Sequence, residues 1–233
     1  MEPTWRQLGP PHAWKDARAA VAIAGRIYLA GADGALHVVD GTSGENAHRP
    51  GGGGQTRLLA AARGRLYAFD EAGPLYELSP DGSSVRLDGD WSEARAAVGA
   101  DRLYVAGGPI WALDPEERAV TRVGDATWHT ELLLSAGDSL FSLEEDGSLY
   151  RIDPRDGDAV QLDGDWGDVC AGAGGPDRLY LVATTGALYA VAPSGDYEVV
   201  DTGTHWDTRM LMAGSSCLYA LEHSGSLYAI SLI

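Results

Sequence analysis

Apolar and polar positions along the chain recur as short segments, apolar on consecutive residues and separated by turns rich in Gly and Asp. The clearest copy is DSLFSLEEDGSLYRIDPRDGDAVQL, residues 138–162. Ser139–Glu144 is rich in β-forming residues, Glu145-Asp146-Gly147 has hairpin-turn chemistry, and Ser148–Asp153 predicts a second strand. Pro154 cannot donate a ladder hydrogen bond and ends that strand; Arg155-Asp156-Gly157-Asp158 makes the next turn. Ala159–Leu162 predicts a third strand, and the small-residue run Leu132–Ala136 precedes the whole unit as its first. Four antiparallel strands make one such unit.

The pattern returns six times. Its first aromatic is Tyr28, Tyr67, Tyr104, Phe141, Tyr180 and Tyr219, at spacings of 39, 37, 37, 39 and 39 residues. Its second aromatic position holds His37, Tyr76, Trp111, Tyr150, Tyr189 and Tyr228, each with a glycine three residues before it. A repeat of this length built from short strands signals a propeller or a solenoid. Leu140 and Phe141 point to opposite faces of their sheet, and both are apolar, so both faces are buried and each unit is sandwiched between two others. First strands such as Ala19–Ala22 and Ala96–Gly99 are small, which suits six backbones converging on an axis. The last unit lacks a fourth strand after Leu227–Ile230, and Thr4–Leu8 is placed to supply it. The expectation is an all-β, six-bladed β-propeller of four-stranded blades. It forms one domain over residues 1–233, with the N-terminal strand closing the ring.

Composition changes the picture little. The formal charge of −17 argues against a nucleic-acid partner, and no apolar run is long enough to insert in a membrane. The acidic residues fall mostly in turns, where they keep the chain soluble. The N-terminal residues lack a basic segment followed by an apolar run, so the expected location is cytoplasmic, or outside the cell by non-classical release. Two cysteines form no disulfide framework, and the six histidines show no metal-ligand spacing. The expectation is therefore a monomer with no metal, no cofactor and no catalytic residue.

Two further recurrences carry candidate chemistry. Trp14, Trp91, Trp128, Trp166 and Trp206 stand 13 or 14 residues before the first aromatic, in polar turns that open each inner strand on one end of the ring. In the second unit Gly54 occupies that position. An aromatic face beside Asp90, Asp165, His129 and His205 suits a sugar, whose C–H face stacks while its hydroxyls find acceptors. The alternative is that each tryptophan plugs the gap between neighbouring blades. Early in the inner strands stand Arg18, Arg57, Arg95, Glu131, Cys170 and Arg209. Pointing inward, the arginines form a cationic collar at the axial channel able to grip a carboxylate or phosphate. Alternatively each arginine pairs with an aspartate of a neighbouring Asp-Gly-Asp-Trp turn.

The short six-fold repeat with a tryptophan opening each inner strand resembles the tectonin family of six-bladed propeller lectins. The residues carrying the likeness are Asp-Trp at 90–91 and 165–166, Asp-Arg-Leu-Tyr at 101–104 and 177–180, and Gly-Ser-Leu-Tyr at 147–150 and 225–228. The resemblance implies glycans bound between blades, near the five tryptophans. The expected function is a multivalent, non-catalytic carbohydrate-binding protein. The alternatives are a protein-interaction scaffold or sensor using the same face and, behind it, an enzyme working at the axis through the arginine collar with Glu131 and Cys170.

Overall fold

The computed structural model describes residues 3–49, 55–79, 83–202 and 204–232. Among them, strands β1–β24 form six four-stranded antiparallel sheets, without a helix, arranged as the blades of a six-bladed propeller. Blades 1 to 5 take residues 17–49, 56–87, 96–128, 130–162 and 169–201 in simple meander order. The sixth is composite: β22 (Thr208–Ala213), β23 (Cys217–Glu222) and β24 (Leu227–Ser231) are completed by β1 (Thr4–Leu8). β1 runs antiparallel to β24, with Trp5 opposite Ile230 and Leu8 opposite Leu227. The ring closes as the hydrophobic pattern demands, because it leaves β24 without an outer neighbour until the N-terminal segment pairs with it.

Strand bounds follow the pattern closely in the fourth blade, where Ser139–Glu144 and Ala159–Leu162 are strands and the middle strand is trimmed to Leu149–Ile152. Leu140 and Phe141 are both buried, each on its own face of the sheet. The inner strand departs from expectation, starting two residues earlier at Thr130. That extra length accommodates a register shift between Thr130 and Leu132, a β-bulge at Glu131.

The axis is lined by β2 (Ala17–Ile23), β6 (Thr56–Ala62), β10 (Ala96–Gly99), β14 (Thr130–Ala136), β18 (Val169–Gly174) and β22, which touch one another in a closed circle. These strands are not uniformly small, which corrects the sequence expectation. Blades 1, 3 and 5 present Ala19-Ala20, Ala96-Ala97 and Ala171-Gly172; blades 2, 4 and 6 present Leu58-Leu59, Leu132-Leu133 and Met210-Leu211. The two sets interlock: Leu59 packs with Ala19, Leu133 with Ala96 and Leu211 with Ala171. Backbones come closest where the small strands end. A Cβ on Gly99 would lie 1.7 Å from the Ala61 carbonyl oxygen, and one on Gly174 would lie 1.8 Å from that of Ser135. Only glycine permits that approach.

The same alternation governs polar burial. In blades 2, 4 and 6 a threonine opening the inner strand faces a carboxylate ending the next one: Thr56 opposite Asp70, Thr130 opposite Glu144, Thr208 opposite Glu222. Glu222 accepts the Asp207 backbone N–H at 2.7 Å and the Thr208 hydroxyl at 2.9 Å, and Glu144 accepts the His129 N–H at 2.6 Å. In blades 1 and 5 the corresponding pairs are Ala17 with Gly31 and Val169 with Ala183. The propeller is thus built from three pairs of unlike blades.

Leu8, 1% exposed, joins Trp14, Ile27, Tyr219 and Leu227 in the seam that closes the ring. Leu8→Ala is expected to lower unfolding stability by about 2–5 kcal/mol, measured by urea denaturation, whereas Val160→Ala on an exposed outer strand should change it by less than ~0.5 kcal/mol. Equal effects from the two would refute closure through β1. Burial also holds the Glu222 carboxyl above the ordinary 4.5 of a glutamate, against the opposing pull of its hydrogen bonds. A folded state that binds the proton more readily than the unfolded chain loses stability as pH rises through the interval between the two pKa values. The stability of wild type minus that of Glu222→Gln should therefore fall as pH rises above 4.5, and a flat or rising difference would sink this assignment.

Candidate functional site

The five tryptophans and the collar lie on one end of the ring and are joined through backbone. The N–H of Trp14, Trp91, Trp166 and Trp206 each donates to a hairpin glycine carbonyl of the preceding blade: Gly225, Gly73, Gly147 and Gly186. Trp128 instead ends the outer strand β13 (Val120–Trp128), where it pairs with Gly108. Gly54, the expected counterpart in the second blade, lies outside the described residues.

All five rings are buried, between 4% and 8% exposed. This corrects the expectation of free indole faces ready to stack sugars: the rings fill the seams between blades. Trp14 meets His37 edge-on at 5.2 Å, Trp128 meets Tyr150 at 5.3 Å, and Trp166 meets Tyr189 at 5.9 Å and Tyr197 at 5.2 Å. Trp206 is closed in by Tyr228 at 6.0 Å and Trp5 at 6.3 Å. The polar neighbours are exposed but serve the turns. Asp90 accepts the Ser92 N–H at 3.0 Å and Asp165 the Gly167 N–H at 3.1 Å. The bonds to Ser92 hold the Asp90 carboxyl below its usual range. The His129 backbone N–H goes to Glu144, and His205 sits in a left-handed backbone conformation at φ 54°.

One seam is different. Trp91 rests edge-on against Phe69 of the preceding blade at 6.2 Å, and the side facing its own blade opens onto a cleft of about 290 Å³. Trp111, Ala94, Val105 and Val120 line it, together with Asp90 and Glu93. Two local features mark it. The hairpin between β11 (Leu103–Ala106) and β12 (Gly108–Leu113) is two residues shorter than its counterparts, since Tyr104 and Trp111 are seven apart where the other pairs are nine. Also, Val120 stands opposite Leu113, the register place that Tyr197 occupies opposite Val191 and Trp5 opposite Ile230. In blades 5 and 6 those aromatics cover the seam; blade 3 has a valine there, and blades 1, 2 and 4 have Asn46, Ser84 and Ala159.

Trp5 and Tyr197, 52% and 58% exposed, are aromatic surfaces that the sequence reading missed. Their signal was available as the outer-strand position two residues before the second aromatic's partner, Val199 in one case and Gln7 in the other.

The collar is real as a location. Register shifts at Arg18, Arg57, Glu131, Cys170 and Arg209 make each the bulged residue of its inner strand. With Arg95 they surround a cavity of about 230 Å³ at the axial mouth. Bulges re-aim side chains and favour such rims. The arginines do not pair with aspartates of the tryptophan turns; they brace the next blade. Arg18 binds Glu71 at 2.7 Å and Gln55 at 2.8 Å, and Arg95 binds Glu145. Arg57 donates to the carbonyls of Trp91 at 2.6 Å, Ser92 at 3.2 Å and Ala94. Arg209 donates to those of Trp14 at 3.1 Å and Lys15 at 3.2 Å. The Cys170 thiol donates to the Val182 carbonyl at 3.3 Å, and burial pushes its pKa up.

No family model matches the chain, and no curated protein matches it. Solved structures do. The chain is similar to virginiamycin B lyase from Staphylococcus aureus, with a TM-score of 0.67, 10% identity and 100% of both chains covered. It is similar to a structural genomics protein of unknown function from Bacteroides thetaiotaomicron, with a TM-score of 0.73 and 11% identity over 98% of this chain and 76% of that one. An auxiliary nutrient binding protein from the same organism gives 0.70 and 11% identity over 94% and 69%. At these identities the likeness is one of fold, and it establishes the chain as a propeller.

Proposed function

We propose that this protein is a non-catalytic carbohydrate-binding propeller whose glycan site is the Trp91–Trp111 cleft. The observation that carries the reading is that cleft itself: about 290 Å³ lined by two indoles and by Asp90 and Glu93. Aromatic walls suit the C–H faces of a pyranose, and carboxylates are strong acceptors for its hydroxyls. The resemblance to tectonin lectins, which bind glycans between blades, supports the same choice. Trp91 is only 6% exposed, like the other connecting rings, so the half-buried Trp111 offers the stacking face, and the expected valency falls from five sites to one. Against a catalytic reading stands the Cys170 thiol, bonded to a carbonyl and held protonated by burial, which is the opposite of an activated nucleophile.

A second reading, a protein-interaction platform, is favoured by Trp5, Tyr197 and Val199, exposed on the outer strands of neighbouring blades 6 and 5. The two readings use different surfaces and separate cleanly.

The test is titration of a glycan panel by isothermal calorimetry with two variants. Val120→Tyr installs the aromatic that covers the seam in blade 5 and is expected to abolish binding while leaving thermal unfolding within a few degrees of wild type. Trp111→Ala should weaken binding by about fivefold to a hundredfold, since loss of a stacking ring is worth on the order of 1–3 kcal/mol. Glycan binding that survives Val120→Tyr but is lost in Trp5→Ala would move the site to the rim. No binding of any glycan would leave the platform reading.

A further inference from the structure

The axial mouth is separate from the cleft and has its own chemistry. Around the ring the collar positions read Arg209, Arg18, Arg57 and Arg95 in blades 6, 1, 2 and 3, then Glu131 and Cys170 in blades 4 and 5. The cations therefore form one continuous arc, faced by a carboxylate and a neutral thiol. Within that arc the charges are unequally compensated. Arg18 and Arg95 each have a glutamate partner, whereas Arg57 and Arg209 hydrogen-bond to backbone carbonyls, with the Asp16 carboxylate near Arg209 but not bonded to it. The Arg209 Nε is buried and has no hydrogen-bond partner among the described residues. Below the collar the cavity is apolar, floored by Leu58, Leu132 and Met210.

We propose that the axial mouth binds a small organic carboxylate, its oxygens on Arg209 and Arg57 and its apolar tail directed down the channel onto Leu58, Leu132 and Met210. Guanidinium groups present paired donors that match the two oxygens of a carboxylate, and a channel mouth restricts competition from water. The apolar floor selects an aliphatic or aromatic acid over a bare inorganic anion. Glu131 repels the anion from the far side, which confines it to the arginine arc and sets its orientation. This inference does not depend on the glycan reading, because no residue of it lines the Trp91–Trp111 cleft.

The experiment is calorimetric titration of the full chain at constant ionic strength with hexanoate, benzoate, phenyl phosphate and inorganic phosphate. Saturable binding of hexanoate or benzoate is expected, at least tenfold tighter than inorganic phosphate. Arg209→Gln should weaken it at least tenfold. Because Arg209 also braces the first blade, a second variant guards against mere misfolding: Glu131→Gln removes the repelling charge and should tighten binding by about threefold to tenfold, the scale of one partly screened charge. The proposal is overturned if no carboxylate binds, if inorganic phosphate binds as tightly as the acids with tails, or if Glu131→Gln leaves affinity unchanged.

Discussion

Crowding at the axis is the constraint on which the rest of this propeller depends. Six inner strands meet in a circle, and side chains of one size could not fill it without collisions or voids. The chain resolves this by alternation, with Ala19-Ala20 set between Leu59 and Met210, and Ala96-Ala97 between Leu133 and Leu58. Where even alanine is too large, Gly99 and Gly174 let a neighbouring carbonyl come close. The paired-blade logic extends outward, since the buried threonines Thr56, Thr130 and Thr208, each facing a carboxylate, sit in the blades that carry the large inner residues.

The seams are the second level. Each connecting tryptophan that docks on a preceding hairpin gives its N–H to a glycine carbonyl there; Trp14, Trp166 and Trp206 bury their rings against an aromatic of their own blade, and Trp91 against Phe69 of the preceding one. The collar arginines then grip the carbonyls of two of these turns from the axial side. Ring, backbone and guanidinium act on the same few residues, which explains why a tryptophan recurs there. It is a structural keystone first. The seam at Trp91 differs in its short hairpin and in the cleft beside it.

The repeat, the strand order and the ring closure by Thr4–Leu8 were legible in the sequence, because they rest on local periodicity and on turn residues such as Gly147 and Pro154. The blade pairing was legible too, in Thr56, Thr130 and Thr208 set against Ala17 and Val169, but it requires comparing alternate repeats, and averaging all six hides it. The burial of the tryptophans was not legible. A ring in an Asp-Gly-Asp-Trp turn has the same neighbours in sequence whether it faces water or Tyr189, and only the assembled seam decides. The partners of the collar arginines were hidden for a similar reason: Arg57 meets Trp91, Ser92 and Ala94, some 35 residues on, through backbone oxygens that every residue possesses.

The net charge of −17 and the cationic mouth are not in conflict. Acidic side chains are spread over turns, where water screens them, while the arginines are gathered onto one rim. The fields differ in reach, and a small anion that arrives at the rim meets the nearby arginines more strongly than the distant surface. Arg57 gives the arrangement a further consequence. It lines the mouth and also holds the Trp91–Ala94 turn, which forms a wall of the glycan cleft, so the two proposed sites share one side chain. Arg209 holds the corresponding turn at Trp14, but there His37 packs against the ring and the seam is closed. A change at Arg57 therefore acts on both sites, and a change at Arg209 acts on the mouth and the closed Trp14 turn but not on the cleft.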